Sequence, residues 1–263
     1  TQFPTVAGKV APGTFYAADP NYKFPQVWRT DFAIEKSLGK GWGALLEALY
    51  TKDINDPTVR NANQVLNADG TVNLGGGIMR PRYSSTNARR INSSITNAAI
   101  LENINKGGSF VLTAQVSKSF SKGFYASLAY NYTFALEGAP NLGSQPASVW
   151  STIYTSKTQN DVELAYSGFA VPHRVVGTFS YKFEYLKALA STVTLYYEGA
   201  AQQANYSYIY NGDINNDGNT ADLMYIPRNA SEITFTNLTV GSTTYTAQQQ
   251  SDAFFKYVEQ DKY

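Results

Sequence analysis

The stretch FVLTAQVSKSFSKGFYASLAYNYTFAL at positions 110–136 decides how the chain is read. Phe110, Leu112, Ala114, Val116, Lys118 and Phe120 fall on one side of an alternating pattern, and Thr113, Gln115, Ser117 and Ser119 on the other. After Ser121-Lys122-Gly123 the alternation resumes, with Phe124, Ala126, Leu128, Tyr130, Tyr132 and Phe134 opposed to Ser127, Asn131 and Thr133. Side chains along a strand alternate faces with period two, so the pattern predicts a hairpin with one apolar and one small-polar surface. Each arm runs for about ten residues, the length a tilted strand needs to cross a bilayer. Phe120 and Phe124 sit by the turn and Tyr130, Tyr132 and Phe134 at the far end, where the aromatic girdles of an outer-membrane barrel lie. A hairpin of a soluble β-sandwich alternates in the same way, so the hairpin alone leaves both readings open.

The same design recurs on either side. Trp28, Thr30, Phe32, Ile34 and Leu38 alternate with Arg29, Asp31 and Glu35. After Gly39-Lys40-Gly41, residues Trp42, Ala44, Leu46, Ala48 and Tyr50 face the same way, with Glu47 opposed. From His173 onward, Val175, Gly177, Phe179, Tyr181 and Phe183 alternate with Arg174, Thr178, Ser180 and Lys182. A turn around 185–191 leads to Val193, Leu195, Tyr197 and Gly199 against Thr192, Thr194, Tyr196 and Glu198. Between the hairpins lie long connections at about 53–108 and 137–172, and a third opens near Asn205. An added strand is expected at 95–104, reversing at Asn105-Lys106-Gly107-Gly108 into the central hairpin, while residues 1–25 with four prolines read as an irregular loop. The order is short turn, long loop, three times over. That is the habit of a transmembrane barrel, with short periplasmic turns and long extracellular loops, and a sandwich has no reason for it. The charged side chains Arg29, Asp31, Glu35, Glu47, Arg174 and Glu198 would then line a wet lumen, and Leu112, Val116, Leu128, Val175, Phe179 and Leu195 would face lipid. The expected fold is all-β: an antiparallel transmembrane β-barrel.

Composition agrees. Charged residues are 16% of the chain, against roughly 25% in ordinary soluble domains. Lys and Arg number 21 against 20 Asp and Glu, so no electrostatic case for nucleic acid exists. Mean hydropathy is −0.31, and no run of 18 apolar residues proposes a transmembrane helix, a test that strands escape because only alternate residues meet lipid. Without cysteine there is neither a disulfide nor a thiolate metal site. Neither end reads as a natural terminus, and the whole of 1–263 is expected to be one partial outer-membrane barrel domain.

Several segments resemble the barrel half of TonB-dependent outer-membrane receptors of the Oar-like branch. They are Asn21-Tyr22-Lys23-Phe24-Pro25-Gln26-Val27-Trp28-Arg29-Thr30, Leu49-Tyr50-Thr51-Lys52-Asp53-Ile54-Asn55, Asn105-Lys106-Gly107 with Leu112-Thr113-Ala114-Gln115, Lys118-Ser119-Phe120-Ser121-Lys122-Gly123, Val171-Pro172-His173-Arg174-Val175, and 208–219. The resemblance implies a barrel of about 22 strands closed around an N-terminal plug, of which this chain holds six to eight strands. It implies uptake of a large ligand (glycan, peptide or chelate) across the outer membrane of a Gram-negative bacterium. The plug and TonB would be partners, besides outer-membrane lipid and a surface lipoprotein. The alternative is a structural or adhesive surface β-protein without energised transport.

One segment carries a metal-binding pattern. In Asp213-Ile214-Asn215-Asn216-Asp217-Gly218-Asn219-Thr220-Ala221-Asp222, oxygen side chains alternate and glycine stands sixth, as in the first half of an EF-hand-type loop. Asp213, Asn215, Asp217, Asn219 and Asp222 are therefore a candidate calcium loop. The twelfth position is Met224 rather than the bidentate glutamate, with Asp222 as its substitute two places earlier. The plain reading is a cation-free Asn/Asp/Gly turn.

The remaining features argue against chemistry. His173 is the single histidine, which excludes a histidine metal site or triad, and it reads as a structural or interfacial residue. Asp161 and Glu163 lack an acid–base pattern, and Gly75-Gly76-Gly77 lacks the following Lys-Ser/Thr of a phosphate cradle. No catalytic residue is assigned, and the chain is not expected to be an enzyme. Arg80, Arg82, Arg89 and Arg90 read as a solvated loop face, with anionic sugars or lipopolysaccharide phosphates as the functional alternative. The loop aromatics Trp150, Tyr154, Tyr206, Tyr208 and Tyr210 read as packing residues or as ligand-stacking platforms.

Overall fold

The structure, a computed structural model, describes residues 13–139, 143–186, 189–201 and 207–261. The expectations placed on 1–12, on Pro140 and on Asn205 and Tyr206 lie outside the described residues. In chain order the strands are β1 (Thr14–Ala18), β2 (Gln26–Gly39), β3 (Trp42–Asn61), β4 (Gly70–Asn73), β5 (Met79–Arg82), β6 (Asn97–Ile104) and β7 (Gly108–Ser119). They continue as β8 (Phe124–Glu137), β9 (Ala165–Tyr166), β10 (His173–Leu186), β11 (Leu189–Ala200), β12 (Leu238–Val240) and β13 (Thr243–Tyr245). The helices are α1 (Pro146–Ser151) and α2 (Ala247–Val258), the latter opened by a capping box of Thr246 and Gln249.

β2, β3, β7, β8, β10 and β11 pair side by side and antiparallel into one wall. Its short connections, through Lys40, through a 3-10 turn at Ser121–Gly123, and between Leu186 and Leu189, all lie at one end. The third of them is tighter than the expected turn at 185–191. The long connections, 62–96, 138–172 and the segment after Ala200, all leave from the other end. Glycine is required in the 3-10 turn, because Gly123 takes φ +80° and a Cβ there would stand 2.1 Å from the Lys182 carbonyl oxygen.

Two strand expectations are corrected. β3 runs well past Tyr50, to Asn61, with β6 along its upper part (Asp56↔Ile104) and β7 along its lower part (Lys52↔Gly108). Both pairings keep one register, so β6 and β7 are a single wall strand interrupted at 105–107, and the chain does not reverse at Asn105-Lys106-Gly107-Gly108. Gly107 and Gly108 take φ +101° and +146°, which break the ladder and press the backbone onto β3; a Cβ on Gly108 would lie 2.4 Å from the Thr51 carbonyl oxygen. Irregular structure was expected throughout 1–25, yet β1 pairs parallel with β6. Short parallel edge strands carry little period-two signal of their own.

Register sorts the side chains. Directly paired residues share a face, so Ile34, Leu46, Ala114, Tyr130 and Val175 form one row across five strands. Leu128 stands opposite Val116 and Gly177, and Phe179 opposite Ala126 and Leu195. On the other face Glu47, Thr113, Asn131 and Arg174 form a polar row. Its members are tied sideways: Asn131 donates to Thr113 at 3.0 Å, Arg174 pairs with Glu198 at 2.7 Å, and the Tyr196 hydroxyl donates to Glu198 at 2.8 Å. Aromatics gather at both ends of the apolar face. Trp42, Phe120, Phe124 and Tyr181 mark the turn end, where Phe124 stacks on Tyr181 with centroids 4.2 Å apart; Tyr50, Phe110, Tyr132 and Phe134 mark the other.

The wall has no hydrophobic core of its own. Every residue of β2 is exposed, and the sheet is open rather than closed into a ring: among the described residues β2 and β11 have no second long neighbour. The core sits instead beyond the loop end, where α1 brings Trp150 and Val149 against Val59, Ala99 and Leu101.

An apolar face on which no described layer packs, with Leu46, Leu128, Phe179 and Leu195 exposed, suits hydrocarbon. Arg substituted for Leu128 or Val175 at mid-strand is expected to cost about 2–4 kcal/mol of refolding stability in lipid. Arg for Thr113 or Thr178, on the polar face, should be mild. Urea refolding into vesicles compares the two sets, and equal penalties would mean that both faces are buried alike.

Candidate functional site

Three acids in ten residues demand compensation, and the structure supplies most of it from within. Asp213 accepts from the backbone N–H groups of Asp217 (3.1 Å) and Gly218 (2.8 Å), and Asp217 accepts from that of Asn219 (2.9 Å). Asn215 donates to Asp217 at 2.9 Å and to the Lys157 carbonyl at 2.8 Å. Asp222 reaches back to accept from the Ile214 N–H at 2.9 Å. The turn is possible because Asn216 and Gly218 take φ +58° and +85°. All five residues of the candidate calcium loop thus lie together in one turn. Asn215, Asp217 and Asp222 are fully buried and Asn219 nearly so. Among the described residues no three His, Cys, Asp or Glu side chains are grouped so as to hold a metal ion.

The cations come from the 62–96 connection, and this overturns the expected solvated face at Arg80 and Arg89. Arg80 in β5 is fully buried and pairs with Asp222 at 2.5 Å. Its other N–H groups donate to the carbonyls of Lys157 (3.0 Å), Thr155 (2.8 Å) and Leu223 (3.2 Å). One guanidinium on the first long connection therefore fastens both of the others. Planar geometry and five donors make arginine the side chain for this task. Arg89, 2% exposed, lies against Gly218 so closely that a Cβ there would meet its Nε at 2.4 Å. Arg82 remains exposed, and Arg90 is partly so. Burial pushes Asp222 above the usual carboxylate range and Arg80 below the usual guanidinium range. Burial first, then the neighbouring Asp222 and Asp213 charges, raises Asp217 to about 7.

Around this centre the three connections interlock. Tyr83 donates its N–H to the Asn215 carbonyl and accepts at its own carbonyl from the Asn216 amide, each at 2.8 Å. Thr155 exchanges backbone bonds with Ala221 and Leu223. Gly75-Gly76-Gly77, with positive φ throughout, makes the turn between β4 and β5 and lets Tyr225 pack on it. Trp150 is buried and donates to Asn160 at 3.0 Å, which makes it a packing residue; Tyr154 and Tyr210 are exposed. Tyr208 meets Tyr257 edge-on at 6.0 Å. His173 is exposed on the apolar face, opposite Tyr132 and hydrogen-bonded to the Tyr130 hydroxyl at 2.7 Å. Glu163 pairs with Lys157 at 3.1 Å and Asp161 accepts from Thr158, so neither carboxylate meets an acid–base partner.

An open wall with one apolar face, short turns at one end and a loop cap at the other is what a section of a transmembrane barrel looks like. A family described as outer membrane beta barrel domain matches residues 1–193. The chain belongs to that family. It is an outer-membrane β-barrel protein, and its apolar face is the one such a barrel turns to lipid. No curated protein and no solved structure matches it.

Two outcomes test the cap. Arg80→Met leaves Asp222 buried without its cation and should loosen the cap by about 3–5 kcal/mol, the usual cost of breaking a buried ion pair. Limited proteolysis within 62–96 and 207–237 should report it, with strand protection in the wall unchanged. The second outcome concerns Asp217. Its raised value makes it contribute stability in full below about pH 4 and lose it as pH rises through about 7. Asp217→Asn should flatten that part of the cap's pH profile, read as the proteolysis rate from pH 5 to pH 8.

Proposed function

We propose that this barrel wall belongs to a TonB-dependent receptor of the Oar-like branch in the outer membrane of a Gram-negative bacterium. The complete barrel would have about 22 strands around a plug, with its short turns periplasmic and its long connections extracellular. The single observation carrying this reading is the polarity of the wall, with every long connection gathered at one end into a cap held by buried Arg80. Loops that bind large solutes need a rigid base, and a cap latched by one guanidinium supplies it. The polar face, with its Glu47–Thr113–Asn131–Arg174 row, is the surface such a receptor turns toward its lumen and plug. The ligand would be a glycan, a peptide or a chelate too large for passive pores, drawn inward when TonB pulls on the plug. A surface lipoprotein is a further partner in this proposal, and no catalysis is part of it.

Cells offered fluorescent glycans, oligopeptides and iron chelates should accumulate one class in the periplasm, only when this protein and TonB are both present. Accumulation of none, together with loss of surface attachment in the deletion strain, would favour the structural or adhesive alternative.

Calcium at the 213–222 turn belongs to the same proposal, as a weak ordering ligand. Asp222 is committed to Arg80, so the available oxygens are those of Asp213, Asn215 and Asp217, with Asn219 beside them. What supports a cation is charge: when all three carboxylates are ionised they face two guanidiniums, and a cation would balance the one remaining negative charge and hold Asp217 in its ionised form. Affinity in the millimolar to sub-millimolar range of extracellular modules is expected. Calcium should slow proteolysis of the cap in the intact barrel but not in Asp217→Ala; equal rates with and without several millimolar calcium would exclude it.

A further inference from the structure

The interruption between β6 and β7 leaves a notch on the lipid-facing side of the wall. Tyr50, Phe110, Phe134 and Leu136 line it from the wall, and Leu164 descends from the 138–172 connection to close one side. It encloses about 330 Å³, within the range of sites that hold small ligands or their parts. Its wall is bare because Gly107 and Gly108 carry no side chain there and tolerate none: their Cβ atoms would stand 2.6 Å from the Asp53 carboxylate and 2.4 Å from the Thr51 carbonyl oxygen. Tyr50, Lys52, Phe110, Phe134 and Leu136 all belong to the apolar, lipid-facing face by register.

The depth of the notch is set by the strands. Trp42 and Lys52 lie about ten residues apart on β3, the span of one tilted membrane crossing. Each boundary has a lysine on the lipid side. At the turn end Lys118 lies over the Trp42 ring at 4.9 Å. At the extracellular end Lys52 donates to the carbonyls of Asn105 (2.8 Å) and Gly107 (3.2 Å) at the mouth of the notch. An ammonium has three N–H donors, so one remains for an acceptor outside the protein. Apolar lining below, a fixed cation above and continuity with the lipid-facing band all describe the same occupant.

We propose that this notch is a lipid-binding site that takes one acyl chain of a phosphate-bearing lipopolysaccharide molecule of the outer leaflet, with its phosphate at Lys52. The site is distinct from the receptor's ligand path, which runs on the other face of the wall, and it stands whether or not TonB energises the protein. Its consequence is an anchor at the interruption in the β6–β7 strand, where the backbone ladder is broken and the cap begins.

The test is native mass spectrometry of the intact outer-membrane protein in detergent with added lipopolysaccharide, phosphatidylglycerol or inorganic phosphate. Lipopolysaccharide should remain bound to the unaltered protein. Lys52→Gln keeps a donor for the two carbonyls but removes the charge, and Leu164→Ser opens the apolar side; each should cut retention several-fold. Lys118→Gln, at the opposite boundary, should leave retention unchanged. Equal retention in all variants would overturn the proposal, as would equal retention of phosphatidylglycerol or displacement by inorganic phosphate. The heat-induced mobility shift of folded barrels confirms that each variant is folded before its retention is read.

Discussion

In hydrocarbon no water is present to satisfy a backbone N–H or carbonyl, so every such group must find its partner within the protein. The rest of this structure depends on that constraint. It accounts for the unbroken antiparallel wall from β2 to β11, and for strands that need no hydrophobic core because their apolar face meets lipid. It also accounts for the placement of the interruption between β6 and β7. Residues 105–107 break the β6–β7 ladder at the height of Lys52, toward the loop end of the wall, and Lys52 itself caps two of the carbonyls there.

Beyond the bilayer the problem inverts. Long connections are wet, polar and entropically expensive to order, and a cap made from three of them needs contacts that compensate. The cap uses little apolar burial for this; Trp150, Val59 and Ala99 make its one hydrophobic cluster among the described residues. Polar contacts tie it together instead, and Arg80 is the one whose guanidinium joins all three connections through one carboxylate and three carbonyls. A buried ion pair is weak evidence of net stability, because desolvation offsets much of the attraction. Its value here is specificity: few other arrangements of three loops satisfy one planar cation so completely.

The wall was legible in the residues because period-two alternation is a local signal, and Leu112, Leu128 and Phe179 declare their face without reference to any neighbour. The short turns were legible for the same reason. What escaped was everything decided by distant segments. β3 extends to Asn61 because β6 is there to pair with it, and nothing in the sequence around Thr58 announces that partner. Arg80 sits in a long connection with no pattern, and its partner Asp222 is 142 positions away. The only hint was complementary charge, since an arginine-rich loop and an aspartate-rich loop were both present in one chain.

By itself the sequence determined an all-β chain of alternating strands with one face for lipid, because strand faces follow from nearest-neighbour geometry. It also determined where glycine lets the backbone bend, and that the aspartates at 213–222 form a turn. Only the tertiary structure decided what balances those aspartates, since compensation of a buried charge depends on which distant side chain reaches it. The same holds for the notch beside Gly108: its bareness is local, but its lining comes from β3, β7, β8 and a descending loop, which meet only when the chain is folded.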